Sequence, residues 1–248
     1  MSSSSRSLED VKALLQSSTM TNPQLTVDFY NSWSEMYEQD SETICYRAPH
    51  LAVDVLNANF SGSREGVQVL DVACGTGLVA KLMSAHGFKH FVGVDGSEKM
   101  LKLAAETGLY QDLRLAVLGT EPLPTKTGVF DVVIVVGGLG AGFIPVHVVR
   151  ELCDAAKPGG LVCMSLGDHL GANSQRFKAD LEMELQLMEQ EGQWTQLGIK
   201  RSDRYMGNTH QSAEGDRDHQ QGEQFISGFI YLYRKSSQTV SNNPKTGV

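Results

Sequence analysis

From Val67 onward, short runs rich in valine, leucine and isoleucine alternate with helix-length amphipathic segments. The pattern predicts strands at 67–72, 90–94, 113–118, 130–136 and 161–166. Between them it predicts helices at 78–85, 98–107 and 146–156, the last with Pro145 pre-set for its first turn. Strands that are apolar on both faces and alternate with helices make a parallel sheet covered on both sides. A long amphipathic helix follows at 174–191, with Phe177, Leu181, Leu185 and Met188 on one stripe and Gly192 as its stop. Beyond it, Leu197, Ile199 and Tyr205 alternate with Lys200, Ser202 and Arg204, which predicts a sheet edge. Residues 225–233 are apolar on both faces and predict an interior strand, reached through a polar hairpin loop at 208–222.

Upstream, the spacing from Leu8 to Phe60 is helical: Tyr30, Trp33 and Tyr37 share one face, and Ala52, Val55, Leu56 and Asn59 continue it. This predicts an N-terminal helical cap (8–66) on a core at 67–235, the two forming one domain at 8–235. Residues 1–7 and 236–248 are polar and read as disordered tails. The fold class is α/β: a Rossmann-like, seven-stranded, mostly parallel sheet with an antiparallel last strand, helices on both faces and the helical cap. An edge strand followed by an interior one at the chain's end is what a sheet closed by a reversed last strand requires.

Composition narrows the function. The chain has 248 residues and a formal net charge of −8, so its surface as a whole repels phosphate backbones. Lys200, Arg201 and Arg204 form a basic patch, but Asp203 interrupts it, and a solvated strand face explains it. Nucleic acid is not the expected partner. The four cysteines (Cys45, Cys74, Cys153, Cys163) have no C-x-x-C spacing, and three lie in apolar or glycine-rich runs, so a reducing compartment is expected. The first residues are serines and charges rather than an apolar leader, and no apolar run is long enough to span a bilayer. A cytoplasmic or nuclear monomer without membrane contact is the expectation.

The sharpest local signal is Asp71-Val72-Ala73-Cys74-Gly75-Thr76-Gly77, a strand ending in an acid and running through small residues into a helix. Glycines there let the backbone turn tightly and approach a ligand, and the helix presents its N-terminus to the crevice. The second signal is Asp95-Gly96-Ser97, where an acid ends the next strand at a distance suited to gripping ribose hydroxyls. Gly75-x-Gly77-x-x-Ala80 followed by Asp95 also satisfies the nicotinamide dinucleotide fingerprint. Asp71 tips the balance, since a fixed carboxylate repels a pyrophosphate and favours an ammonium or sulfonium. No second mononucleotide-binding half follows. An adenosyl cofactor without a pyrophosphate is the favoured ligand.

Residues 67–166 resemble the class I S-adenosylmethionine-dependent methyltransferases. The first family motif corresponds to the Asp71–Gly77 run and the acidic end of the second strand to Asp95. Gly119-Thr120-Glu121-Pro122-Leu123-Pro124 resembles the segment after the third strand, Phe130-Asp131-Val132-Val133 the fourth strand, and Lys157-Pro158-Gly159-Gly160 the turn before the fifth. The cap, with Tyr30, Trp33, Tyr37 and the Tyr46-Arg47-Ala48-Pro49 run, is similar to vertebrate methyltransferase-like proteins of the Williams–Beuren chromosomal region. The resemblance implies S-adenosyl-L-methionine as cofactor. It implies Ala73, Gly75 and Gly77 against the methionine end, with Asp71 orienting the ammonium. It further implies Asp95 and Gly96 at the ribose, Met100 on the adenine, Thr120 and Glu121 at its edge, and Gly137 and Gly138 facing the methyl donor. Ala73 and Gly119 depart from the family pattern, which commonly has glycine and aspartate there.

Methyl transfer from a sulfonium needs little beyond a nucleophile held in line, so catalytic residues are not legible. After the fourth strand the chain reads Val136-Gly137-Gly138-Leu139-Gly140, not the Asn-Pro-Pro-aromatic run of amino-methylating enzymes on DNA or protein, and no Pro-Cys pair suggests cytosine methylation. The pocket beyond the methyl should be apolar, with Tyr37, Tyr46 and Arg47 as candidate substrate contacts. A small molecule is the first class of acceptor and a protein side chain the second. A catalytically silent cofactor-binding scaffold is the alternative from another class, and a NAD-dependent dehydrogenase ranks below it.

Several residues have simpler readings. Met100 is at core spacing, the stripe of Tyr30, Trp33 and Tyr37 reads as the cap's buried face, and Asp131 reads as a turn cap. Cys74 reads as packing. His147, His169 and His210 have no metal-ligand partner at suitable spacing, so no metal is expected. The segment from Thr26 to Pro49 is expected to close over the crevice, with Tyr37 and Tyr46 facing in.

Overall fold

A computed structural model describes residues 6–18, 20, 22–209 and 225–237. Most of the expected tails, most of the 208–222 loop and His210 lie outside the described residues. Arg6 and Ser7, read as tail, are engaged. Ser7 closes a capping box with Asp10 on α1 (Leu8–Ser17), and the Arg6 guanidinium pairs with Asp40 at 2.6 Å.

Seven strands form one sheet: β1 (Gln68–Val72), β2 (His90–Asp95), β3 (Tyr110–Leu115), β4 (Phe130–Val135), β5 (Ala156–Gly167), β6 (Trp194–Gly207) and β7 (Phe225–Lys235). Their order is β3-β2-β1-β4-β5-β7-β6. β1 to β5 run parallel, and β7 lies antiparallel between β5 and β6. The predicted edge and interior strands at the end of the chain thus take those positions. Order reverses between β2 and β4 on either side of β1, so the loops after β1, β2 and β4 open on one crevice.

α5 (Leu78–Ala85), α6 (Glu98–Glu106), α7 (Val148–Ala155) and α8 (Ala172–Gln190) lie close to their predicted bounds. The stripe Phe177, Leu181, Leu185 and Met188 is buried on one face of the sheet with Leu152 and Trp194. Each such side chain contributes about 1.5–3 kcal/mol on burial. The opposite face is covered by Val79 and Met83 of α5 and by Leu51, Ala52 and Leu56 of α4 (Ala48–Asn59). α4 therefore belongs to the sheet's covering layer, although its pattern continues that of the cap. What stands over the crevice is α2 (Pro23–Trp33), a short 3-10 turn and α3 (Tyr37–Thr43).

Two strands differ from expectation. β3 ends at Leu115, and the apolar run expected to complete it, Ala116 to Leu118, turns off the sheet. As an edge strand β3 carries exposed Gln111 and Asp112, so it lacked the apolar density that marks the interior strands. β5 begins at Ala156, before the expected Lys157–Gly160 turn, and a register shift opposite Phe130 and Val132 absorbs the extra residues. Asp131 anchors this end: it accepts from the Gln68 N–H at 2.9 Å and pairs with Lys157 at 2.8 Å.

Candidate functional site: two adjoining cavities

At the end of β1 the backbone enters the left-handed region at Ala73 (φ 53°), Gly75 (φ 55°) and Gly77 (φ 91°). For an alanine this costs roughly 1–2 kcal/mol, which the surrounding packing must offset. Asp95 sets the shape of the loop. Its Oδ2 accepts from the Gly75 N–H and its Oδ1 from the Ser97 N–H, both at 2.8 Å. One carboxylate therefore ties the glycine loop to the start of α6.

Asp71 is buried below this loop. Its Oδ2 accepts from the Tyr110 hydroxyl at 2.7 Å, and its Oδ1 has no partner among the described residues. Burial pushes its carboxyl up to about 7; the Tyr110 hydrogen bond opposes that rise and nearby Asp95 adds to it. Asp95 is also shifted up by burial, against the pull of its backbone hydrogen bonds. Burial raises the Cys74 thiol well above its ordinary value, which keeps it protonated.

Above the loop lies a cleft with about 750 Å³ of empty space, part of it open to solvent. Its floor is Ala73, Gly75, Asp95, Gly96 and Ser97, one side is Met100 with Ala116, Val117 and Leu118, and its roof is Pro23, Thr26, Val27 and Tyr30. The roof is fastened by Thr26, whose hydroxyl donates to the Gly142 carbonyl at 2.7 Å, and by Asn31, whose Oδ1 accepts from the Ser97 hydroxyl at 2.7 Å.

A second chamber of about 940 Å³, also counting open space, lies beyond Gly137. Its walls come from α1 to α3 and the turn after them (Leu15, Trp33, Ile44, Tyr46), the loop after β4 (Leu139 to Ala141), and β5, β6 and α8 (Leu166, Tyr205, Phe177). Tyr30, Tyr37, Gly137 and Phe143 line both spaces and form the boundary between them. The Gly137 N–H donates to Ser165 Oγ at 3.0 Å, and Ser165 Oγ lies 2.9 Å from the Tyr205 hydroxyl. Gly137 has φ 70°, and a Cβ there would collide with the Tyr46 hydroxyl. Burial pushes the Tyr37 and Tyr205 phenols up to about 12 and Tyr46 well above its ordinary value, so all three stay protonated.

The expected site residues therefore separate into groups. Ala73, Gly75, Asp95, Gly96, Met100 and Gly137 line the cleft, Tyr37 lines both cavities, and Tyr46 lines the chamber. Asp71 and Gly77 stand behind the loop. Thr120 and Glu121 are exposed and brace the turn after β3: the Thr120 hydroxyl donates to the Val117 carbonyl, and Glu121 accepts from the Val117 N–H at 2.9 Å. Arg47 is exposed and lines neither space. At Gly119, where the family resemblance implies an aspartate, φ is 95° and a Cβ would lie 2.5 Å from the Pro145 ring, so a side chain is disfavoured. The aromatic stripe is corrected in part: Trp33 is buried as expected, but all three rings also line the chamber, and Tyr30 and Tyr37 line the cleft as well. Tyr110, Asn31, Phe143 and Tyr205 are additions that no local motif marks. Among the described residues no group of His, Cys, Asp and Glu is arranged to hold a metal, and no helix is long and apolar enough to cross a membrane.

A methyltransferase-domain family model matches residues 69–160. Human methyltransferase-like protein 27 is 46% identical over 169 residues, 68% of this chain and 68% of that protein. The ubiquinone biosynthesis O-methyltransferase of Bordetella bronchiseptica is 38% identical over 109 residues, 42% of this chain and 44% of the relative. Among solved structures, the [4+2]-cyclase SpnF has a TM-score of 0.61 at 19% identity, covering 88% of this chain and 97% of its own. An S-adenosylmethionine-dependent methyltransferase from Thermotoga maritima scores 0.54 at 16% identity, covering 86% of this chain and 99% of its own. The structural neighbours speak for the fold alone. Family match and fold together define an S-adenosylmethionine-dependent methyltransferase. Within that class, the chain belongs to the family of methyltransferase-like protein 27. The dehydrogenase reading that the glycine loop left open falls with this assignment.

Proposed function

We propose that the cleft holds S-adenosylmethionine and that the chamber beyond Gly137 holds a small-molecule methyl acceptor. The observation that carries this reading is the shared boundary: Tyr30, Tyr37, Gly137 and Phe143 separate a space with a carboxylate floor from an apolar one. A cofactor fits the first on three counts. Above Gly75 a Cβ would meet nothing within 4 Å, Asp71 Oδ1 is buried behind the loop without a partner among the described residues, and Asp95 keeps lone pairs for hydroxyl donors.

In this reading Asp95 and Gly96 hold the ribose, and Met100 and Val117 sandwich the adenine. The ammonium of the methionine end lies at Ala73 within the field of Asp71. When bound, the cofactor supplies an electrophilic methyl with a neutral thioether as leaving group. The protein's contribution is to hold the acceptor in line and exclude water. Tyr30, Tyr37 and Phe143 close the junction, and Gly137, lacking a side chain, makes room for the Tyr46 hydroxyl there. The cap roofs the chamber with Leu15, Trp33 and Ile44, which supports an acceptor that enters whole over a side chain presented by another protein.

The test is transfer of a labelled methyl group from S-adenosylmethionine into separated small-molecule and protein fractions of a cell extract. Label in the small-molecule fraction is expected. Label confined to protein would overturn the acceptor assignment, and a calorimetric titration in which NAD binds and S-adenosylmethionine does not would overturn the cofactor assignment.

A further inference from the structure

The charges around the two cavities differ in a way that bears on the acceptor. The cleft floor contains Asp95, with Asp71 behind it. Among the described residues lining the chamber there is no aspartate, glutamate, lysine or arginine. Its polar side chains are Ser41, Ser174, His169, the Trp33 indole and the phenols of Tyr30, Tyr37, Tyr46 and Tyr205, and the hydroxyls and the indole hydrogen-bond without a fixed charge. Its apolar walls are largely aromatic. Trp33 and Tyr37 meet edge to face at 5.0 Å between ring centroids, and Tyr30 meets Phe143 at 6.2 Å.

Building on the cofactor reading above, we infer that the acceptor is an uncharged aromatic compound whose reacting atom is a hydroxyl oxygen, held at Gly137 beside the Tyr46 hydroxyl. An ammonium or carboxylate entering this chamber would leave its hydration shell and meet no aspartate, glutamate, lysine or arginine among the described wall residues. A hydroxyl loses little, because a phenol of the wall replaces the water it gives up. A flat ring gains edge-to-face contacts with Tyr30, Trp33, Tyr37 and Phe143.

Tyr46 fixes the reacting end. Its hydroxyl lies against the Cα of Gly137, the residue common to both cavities, and interacts with Tyr205, which is joined through Ser165 to the Gly137 N–H. A hydroxyl acceptor bonded to Tyr46 therefore has its oxygen beside Gly137, at the junction of the two cavities. In the transfer that oxygen bonds the methyl carbon, the carbon–sulfur pair returns to sulfur, and the hydroxyl proton passes to solvent.

The full-length chain, saturated with S-adenosylhomocysteine so that no sulfonium is present, is titrated calorimetrically at about pH 8, where a phenol-type hydroxyl remains protonated. The probes are 1-naphthol, 1-naphthoate and 1-naphthylmethylammonium. The naphthol should bind, and both charged analogues should bind about tenfold or more weakly. Met206→Lys, or Ser174→Lys if the first does not fold, adds one cation to the wall and should reverse the order of naphthol and naphthoate. Equal binding of all three probes would overturn the inference. So would an unbound naphthol in a protein that does titrate with S-adenosylhomocysteine, or an unreversed order in a folded lysine variant. If S-adenosylhomocysteine itself fails to titrate, the cofactor reading falls and this inference falls with it.

Discussion

On one side of Gly137 the cleft is made by loops at the ends of β1, β2 and β4, stiffened by Asp95 and lying over a buried acid. On the other side the chamber is made by side chains from α1, α2, α8, β5 and β6, without a formal charge among its described residues. The floor of the first space is built from two short loops, at Ala73 and Gly75 and at Asp95 to Ser97, although its roof comes from α2. The second is built from parts as far apart in sequence as Leu15 and Met206. A cofactor common to a family can be met by a fixed loop, whereas an acceptor specific to one member is met by the decoration around it. The boundary between them is where a single change should affect both.

The largest effect is therefore expected at Gly137. Gly137→Ala puts a side chain in the left-handed region, at about 1–3 kcal/mol. It also drives a Cβ into the Tyr46 hydroxyl, so that Tyr46 must turn away. Misplacing a reacting group by about 1 Å costs on the order of 100-fold in rate. Steady-state methyl transfer should fall by about that factor, with cofactor affinity reduced less. Adding Tyr46→Phe should relieve part of the lost stability, because the two residues are in contact, but not restore transfer, because the hydroxyl proposed to hold the acceptor is then missing. A variant with wild-type transfer rate would show that the two cavities do not work as a pair.

Next comes Asp95, which acts on the cleft alone. Asp95→Ala removes the carboxylate that holds the Gly75 and Ser97 N–H groups and that is proposed to take the ribose hydroxyls. A loss of roughly 1.5–3 kcal/mol corresponds to about one to two decades in cofactor affinity. Probe binding in the chamber should change little. Calorimetry with S-adenosylhomocysteine reads the first quantity and naphthol titration the second, and a parallel loss in both would erase the distinction between the spaces.

A smaller effect comes from Asp71, whose carboxyl burial lifts to about 7. A carboxylate raised in the folded state binds its proton more tightly there than in the unfolded chain, so stability falls as pH rises between about 4 and 7. A bound ammonium favours the ionised form. Cofactor affinity should then rise by about tenfold from pH 6 to pH 8, with a proton released on binding at pH 6. Asp71→Asn should flatten this profile. A profile equally steep in the variant would assign the titration to another group.

The contrast between the spaces also governs what the amino-acid pattern could disclose. The glycine loop, Asp95 and the parallel strands are local: each is a run of neighbouring residues whose type follows from one backbone requirement. The edge position of β6 and the interior position of β7 could be read for the same reason, from alternation against continuous apolarity. The chamber was legible only in fragments. Tyr46 could be named, but the meeting of Tyr46 with Tyr205 and Ser165 depends on how β5, β6 and the cap come together, which no spacing encodes. Thr120 and Glu121 followed the family pattern in type, yet Gly119 packed on Pro145 turns their side chains to bracing the loop. Tyr110 escaped because β3 is a polar edge strand and its hydroxyl donates back across the sheet to Asp71.

The smallest effect should come from the hinge of the comparison, the cap that roofs both spaces. Asn31 on α2 accepts from the Ser97 hydroxyl, and Thr26 donates to the Gly142 carbonyl, so two hydrogen bonds fasten α2 to the rim of the cleft. A hydrogen bond of this kind contributes about 0.5–1.5 kcal/mol net. Asn31→Ala should therefore weaken cofactor binding by only about two- to tenfold, without disturbing the sheet. Amide hydrogen exchange offers the sharper measure. If α2 and α3 open to admit ligands, residues 26–49 should gain protection when cofactor binds, and Asn31→Ala should speed exchange there in the free protein. Protection gained across residues 71–96 but unchanged across 26–49 would make the cap a static wall, with the chamber entered by another route.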